Sequence, residues 1–480
     1  MPESKVVKDS VKLMSGTMVA RLAGLVRGLG VPFFLAEAAH YGLWQLVLVV
    51  WQYGMYLHLG SFEFLNRELP GLEIQYQKER RARLLSDGFW GTILVGLIAA
   101  ICVAAWPVPA GENSFPGRRF IAFIAAIGVV MLQVVSFHIL CFRSTSQFGR
   151  VSLVSVGMAL LGLPLGLGGA WLWGIRGLVC GVVLSISVVA CSGFFWNSFP
   201  ALRFSLAGFW KQAKNGLPLS LVTSLIGILP TIGTVVSASM LGLEEAGYLG
   251  IAVLLGSLSV MLPQTIGTVM YPRFLKVVAA GRDKVVVSDM FRLLIKNVSI
   301  LTPIVICCGA VVVTPVLQHL LPQYEQSIPL CFSLLGSSFF YSFTLVMMFP
   351  AKALHLHGAL TRILVVGVAV AATSAIITVS LGGGILPMAI ALMVANGLIG
   401  TATLVGGMIM AGGRGYNLAG SIGATYLPGI MMGALTFLLI KLPLDPGTTA
   451  GDFGMAGLRL VIFLAITTPF AWSNLKGLRR

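Results

Sequence analysis

Two arginines, Arg21 and Arg27, stand inside an otherwise apolar stretch that runs from about residue 12 to about residue 35. A cation at the centre of a bilayer costs about 3 kcal/mol or more unless it faces protein or water, so such a residue points to a pathway. A guanidinium forks onto phosphate or carboxylate oxygens, and the chemistry these two positions offer is anion recognition. Six residues turn a helix by about 600°, which sets the two arginines about 120° apart, on a broad wall rather than a narrow stripe. The next apolar stretch supplies neutral and acidic partners. Gln45, Gln52, Tyr56 and Glu63 recur at spacings of seven, four and seven, and a continuous helix would hold all four on one face. A competing reading pairs Arg21 and Arg27 with Glu63, Asp87 or backbone carbonyls, as struts between helices.

These residues are carried by a chain whose solvent is mostly lipid. Of 480 residues, 57% are hydrophobic and 10% charged, and the mean hydropathy is +0.93. Fourteen apolar stretches predict transmembrane helices at about 12–35, 40–62, 85–106, 119–141, 151–173, 175–197, 217–240, 247–270, 292–316, 328–350, 361–382, 385–411, 421–441 and 456–474. Trp90, Trp106, Trp171, Trp173, Trp196, Trp210 and Trp472 fall near their ends, at headgroup depth.

Assigning the connecting loops alternately to two sides puts 25 of the 32 Lys and Arg on the side of the N-terminus. Arg118, Arg119, Arg176, Lys441 and Arg459 fall on the other, and Arg21 and Arg27 lie in the first span. Cationic loops are retained in the cytoplasm during insertion, so both termini are expected there, with the first helix kept and not cleaved. The net charge of +16 follows from this bias, and no loop is large enough for a basic nucleic-acid-binding surface. No G-x-x-x-x-G-K-[ST] is present. The six histidines and seven cysteines lack metal-ligand spacing, so no metal or other cofactor is expected.

One pattern repeats. Glu37-x-Ala39-x-Tyr41 and Glu244-x-Ala246-x-Tyr248 lie 207 residues apart, each in an outer helix connection and each followed by a long apolar stretch and a cytoplasmic arginine, Arg67 or Arg273. Two halves of six helices in the same orientation would meet at a cavity, which is a transporter architecture. The same offset sets Gln264, the notable polar residue of the second half, on Leu57, beside His58.

The Lys-rich start, the helix pair joined by residues 35–42, Gly216-Leu-Pro-Leu219, Leu243-Glu-Glu-Ala-Gly-Tyr248, Met270-Tyr-Pro-Arg273 and Leu321-Pro-Gln-Tyr324 together resemble one family. It is the polysaccharide transporter branch of the multidrug/oligosaccharidyl-lipid/polysaccharide (MOP) exporter superfamily. The resemblance implies an all-α polytopic membrane protein of about 14 transmembrane helices. Two pseudo-symmetric six-helix lobes, 1–200 and 201–414, would be followed by two additional helices and a cytoplasmic tail at 415–480.

By the same resemblance the protein would be a flippase of the bacterial inner membrane, not an enzyme. It would move a lipid-linked glycan of polyprenyl-diphosphate type to the outer leaflet by alternating access, among membrane lipids and with glycan polymerase machinery as a partner. Arg21, Arg27, Gln45, Gln52, Tyr56, Glu63 and Gln264 would line its pathway. Two departures stand out: the seventh span lacks the acidic residue some relatives carry, and the second half has no deep arginine. Two other functions fit the pattern, a cation-coupled drug exporter of the same superfamily and a membrane enzyme of lipid-linked glycan assembly. The first would need deep carboxylates for its cations. The second would need a sizeable outer loop.

Overall fold

The structure is a computed structural model. It describes residues 3–35, 37–74, 77–105, 117–197, 199–279, 284–354, 356–411, 418–441 and 449–476. Trp106, Arg282, His355, Arg414, Arg479 and Arg480 lie outside them. Among the described residues there is no strand, and 12 helices are long and apolar enough to cross a membrane. In hydrocarbon every backbone polar group has to be satisfied within its own segment, which an uninterrupted helix does. The chain is an all-α, multi-pass membrane protein.

The helices fall into two compact units, the first comprising Met1–Ser224 with Gly242–Gly247 and the second Leu225–Leu241 with Tyr248–Arg480.

In the first unit the order is α1 (Glu3–Phe34), α2 (Ala38–Gly54), α3 (Ser61–Ile74), α4 (Lys78–Ala105), α5 (Arg118–Ser144), α6 (Phe148–Gly193) and most of α7 (Leu206–Ile228). The 46 residues of α6 form a hairpin, because Trp173 and Gly174 leave helical geometry and Gly174 takes φ +58°. Below that turn the two arms touch backbone to backbone at Gly169 and Gly177, and again at Leu165 and Gly181. Such an approach needs a glycine on at least one side of each contact, the small-residue packing usual between membrane helices. Trp171 and Trp173, 73% and 71% exposed, crown the tip.

The predicted second span, 40–62, is not one helix. It breaks over Met55–Gly60, where Leu59 has φ 49° and Gly60 φ 91°, and α3 starts afresh at Ser61. A left-handed pair cannot continue an α-helix. Gly60 meets the backbone of Gly216 and Leu217 in α7 so closely that a Cβ there would stand 2.5 Å from both chain atoms. Upstream, α2 is fastened to α5. Trp51 Nε1 donates to the Ala125 carbonyl at 3.0 Å, with Gly128 under the indole, and Gln133 Nε2 donates to the carbonyl of Gly54. Gly42 and Gly247 press against the backbones of Leu243 and Ala38, so the two turns sharing the Glu-x-Ala-x-Tyr pattern abut within this unit.

The second unit begins at Leu225 with the last turn of α7, after which Pro230 interrupts the helix, giving a tight turn at Leu229–Thr231, a short α8 (Ile232–Val236) and one wide turn at Ser237–Leu241. There follow α9 (Leu243–Ala279), α10 (Lys284–Pro315), α11 (Ile328–Ala353), α12 (His357–Ser380), α13 (Ile385–Ala411), α14 (Leu418–Lys441) and α15 (Thr449–Lys476). The last two helices pack on α10 around Cys307, Met432, Leu439 and Phe463. His319 Nε2 and Asp452 Oδ2, 2.8 Å apart, tie the far end of α10 to the start of α15.

Candidate functional site

The first unit gathers six of the seven residues expected to line a pathway, and it treats them differently. Helix α1 runs alongside the first arm of α6 in the same direction, with Gly16 against Ser152, Arg27 against Gly162 and Gly30 against Leu167. Arg27 is partly buried. Its Nη1 lies 2.9 Å from where a Cβ of Gly162 would be, and its Cδ 3.5 Å from the same position at Gly166. Ser185, on the second arm of α6, stands 3.2 Å from that Gly162 position through its hydroxyl. The guanidinium thus lies along a bare glycine track with a hydroxyl beside it.

Arg27 makes no ion pair among the described residues. Of the two acids proposed as struts, Asp87 is buried and engaged elsewhere. Its Oδ1 accepts the Ser205 N–H at 2.8 Å, and Ser205 Oγ accepts the Gly208 N–H at 3.2 Å. Ser205 is therefore the N-cap of α7, with Asp87 holding the cap from α4. Glu63 sits within electrostatic reach of Arg143 and His58. The His58 ring stacks on Phe62 with centroids 5.2 Å apart, and its Nδ1 accepts the Gly60 N–H at 3.1 Å across the break.

Gln45 is buried in α2, and Gln52, one turn before the break, shares a side-chain hydrogen bond with Tyr56 within it. The expected single face of Gln45, Gln52, Tyr56 and Glu63 is not formed, because a face requires a continuous helix and this one stops at Gly54. Arg21, partly buried, lies six residues before Arg27 on α1. Gln264 belongs to the second unit, where its carbonyl accepts the Thr268 hydroxyl at 2.7 Å.

Sequence reasoning missed the glycines that accommodate Arg27 and the cap held by Asp87. The only available signal for the first was the density of glycine at 157–181, and nothing in the sequence joins position 27 to position 162. For the break, Gly54 and Gly60 bracketing a pentapeptide were a visible sign.

The chain matches no family model, and no curated protein matches it. Solved structures do. A lipid II flippase, MurJ, in an inward closed conformation superposes with a TM-score of 0.64 at 15% identity, over 95% of this chain and 98% of that one. An inward-facing multidrug resistance MATE transporter of the MOP superfamily gives 0.61 at 13% identity, over 84% of this chain and 98% of its own. A eukaryotic MATE transporter gives 0.60 at 12% identity, over 88% and 99%. Over nearly its whole length the chain therefore has the MOP exporter fold, shared by flippases and drug exporters.

Proposed function

We propose that the protein is a flippase that carries a lipid-linked oligosaccharide, of polyprenyl-diphosphate type, from the inner to the outer leaflet by alternating access. Its place would be the bacterial cytoplasmic membrane, with both termini cytoplasmic and with glycan polymerase machinery taking up the product. The observation that carries this reading is Arg27, a guanidinium within an apolar helix, without a carboxylate partner among the described residues. A cation held in that way favours an anionic visitor, and diphosphate oxygens match its fork. Arg21 and Gln52 with Tyr56 would supply further contacts to phosphate and sugar, and Gln45, Glu63 and Gln264 would complete the pathway as it changes access. The likeness in fold to a lipid II flippase supports the same direction.

A second reading, a cation-coupled exporter of small drugs, is favoured by the likeness to MATE transporters. Such a protein needs deep carboxylates for cationic cargo, and here Asp87, the one acid among the buried polar residues described, is occupied with capping α7. The two readings separate in a strain lacking the gene, by measuring lipid-linked glycan on each leaflet with rescue by wild type, Arg27→Ala or Arg21→Ala. Inner-leaflet accumulation that only wild type relieves supports the flippase. Unchanged glycan with altered sensitivity to cationic drugs moves the assignment to the exporter.

A further inference from the structure

The second unit contains a cavity of about 380 Å³ that the pathway does not use. One wall is a face of α10, where Arg292 and Lys296, four residues apart, point the same way with Ser299 a turn beyond. The opposite wall is α14, and the two walls are joined where Ser299 Oγ donates to the carbonyl of Thr425. Thr425 Oγ1 in turn donates to the Ser421 carbonyl at 2.8 Å, so both hydroxyl oxygens keep lone pairs for a ligand's donor. Phe470 of α15 and Met408 of α13 give the cavity an apolar side.

Its depth follows from the helix ends. Ser421 is one turn from the start of α14, Met408 one turn from the end of α13, and Phe470 less than two turns from the end of α15. Helix α10 begins further out, so Lys296, about 18 Å along it, lies at the same level. Counting from the helix ends, a hydrocarbon core of about 30 Å would set this level near its boundary with the headgroups. Lys296 makes no ion pair among the described residues, and the acid nearest in sequence, Asp289, is exposed and does not line the cavity.

We infer that this cavity binds the phosphate-bearing headgroup of an anionic membrane phospholipid, with Arg292 and Lys296 holding the phosphate and the apolar side receiving the first part of the acyl chains. The inference does not rest on the proposed transport. A basic pocket between membrane helices at headgroup depth has the composition that recognises such lipids. A fork beside a point charge suits a phosphodiester, and the apolar wall distinguishes a lipid from a free ion. Given the orientation expected from the charged loops, the lipid belongs to the cytoplasmic leaflet.

The test uses the full chain in nanodiscs of equal parts phosphatidylglycerol and phosphatidylcholine, the former spiked with an analogue photoreactive near its glycerol. Crosslinks should concentrate in peptides from the starts of α10 and α14. Phosphatidylglycerol should be retained over phosphatidylcholine by about tenfold or more at this site, as two cations near a surface imply. Arg292→Gln with Lys296→Gln should reduce those crosslinks at least fivefold while leaving labelling elsewhere unchanged. Uniform labelling of the wild type, which needs no variant to fold, overturns the proposal, as does undiminished labelling in the double variant. In phospholipid-free detergent, a thermal shift from millimolar inorganic phosphate as large as that from phosphatidylglycerol would overturn the lipid as ligand.

Discussion

Arg27 lies along the bare backbone of Gly162, its Nη1 2.9 Å from the place a Cβ would take. The contact joins the end of a flexible side chain in the first span to a helix four spans further along the chain, and the missing Cβ at Gly162 leaves the room it occupies. Replacing Gly162 by Val should displace the guanidinium, with an overpacking cost of about 1–3 kcal/mol and a loss of transport approaching that of Arg27→Ala. In an Arg27→Ala background the same Val should cost much less, since nothing then fills the space. Thermal unfolding in detergent, run as a double-mutant cycle, measures the coupling. Additive effects would detach Gly162 from Arg27.

Gly216 meets the Gly60 carbonyl and the Phe64 amide directly, and here the neighbours are backbone. Gly216→Ala has to push α7 away from the α2–α3 break, and a stability loss of about 2 kcal/mol or more is expected. Gly24→Ala is the control, because a Cβ there meets nothing within 4 Å. It should be neutral or stabilising by up to about 1 kcal/mol, through helix propensity. Protein abundance and melting temperature should separate the pair.

Asp87→Ala removes the acceptor for the Ser205 amide in a buried place, with an expected loss of about 1–3 kcal/mol. Asp87→Asn retains a carbonyl oxygen and should lose less. Ser205→Ala, which strips the cap from the Gly208 amide, should cost about 1 kcal/mol. If Asp87 instead served cation coupling, Asn would abolish transport at unchanged stability, and a transport assay beside the melting curve tells these apart.

Orientation has its own test. In a variant without the seven native cysteines, Gln147→Cys, in the turn between α5 and α6, should react with a membrane-impermeant maleimide only after cells are opened. Leu381→Cys, 83% exposed in the turn after α12, should react in intact cells. The reverse pattern would invert the topology and with it the assignment of the charged loops.

Hydropathy and length were enough to establish the chain as all-helical and membrane-spanning, because exclusion of water from a 20-residue apolar segment is a property of that segment alone. The turn at Trp173–Gly174 between two predicted spans was legible for the same reason. So was the likeness in fold to MOP exporters. The tertiary structure decided what each polar group meets. Whether residues 40–62 stay one helix depends on Gly60 finding the backbone of Gly216, more than 150 positions away. Whether Asp87 is a strut for an arginine or a cap for α7 depends on where Ser205 is brought. Arg292 and Lys296 look like ordinary flanking charges until α13, α14 and α15 close a cavity over them. Contacts of this kind are set by helix packing between distant segments, which the composition of neither segment contains.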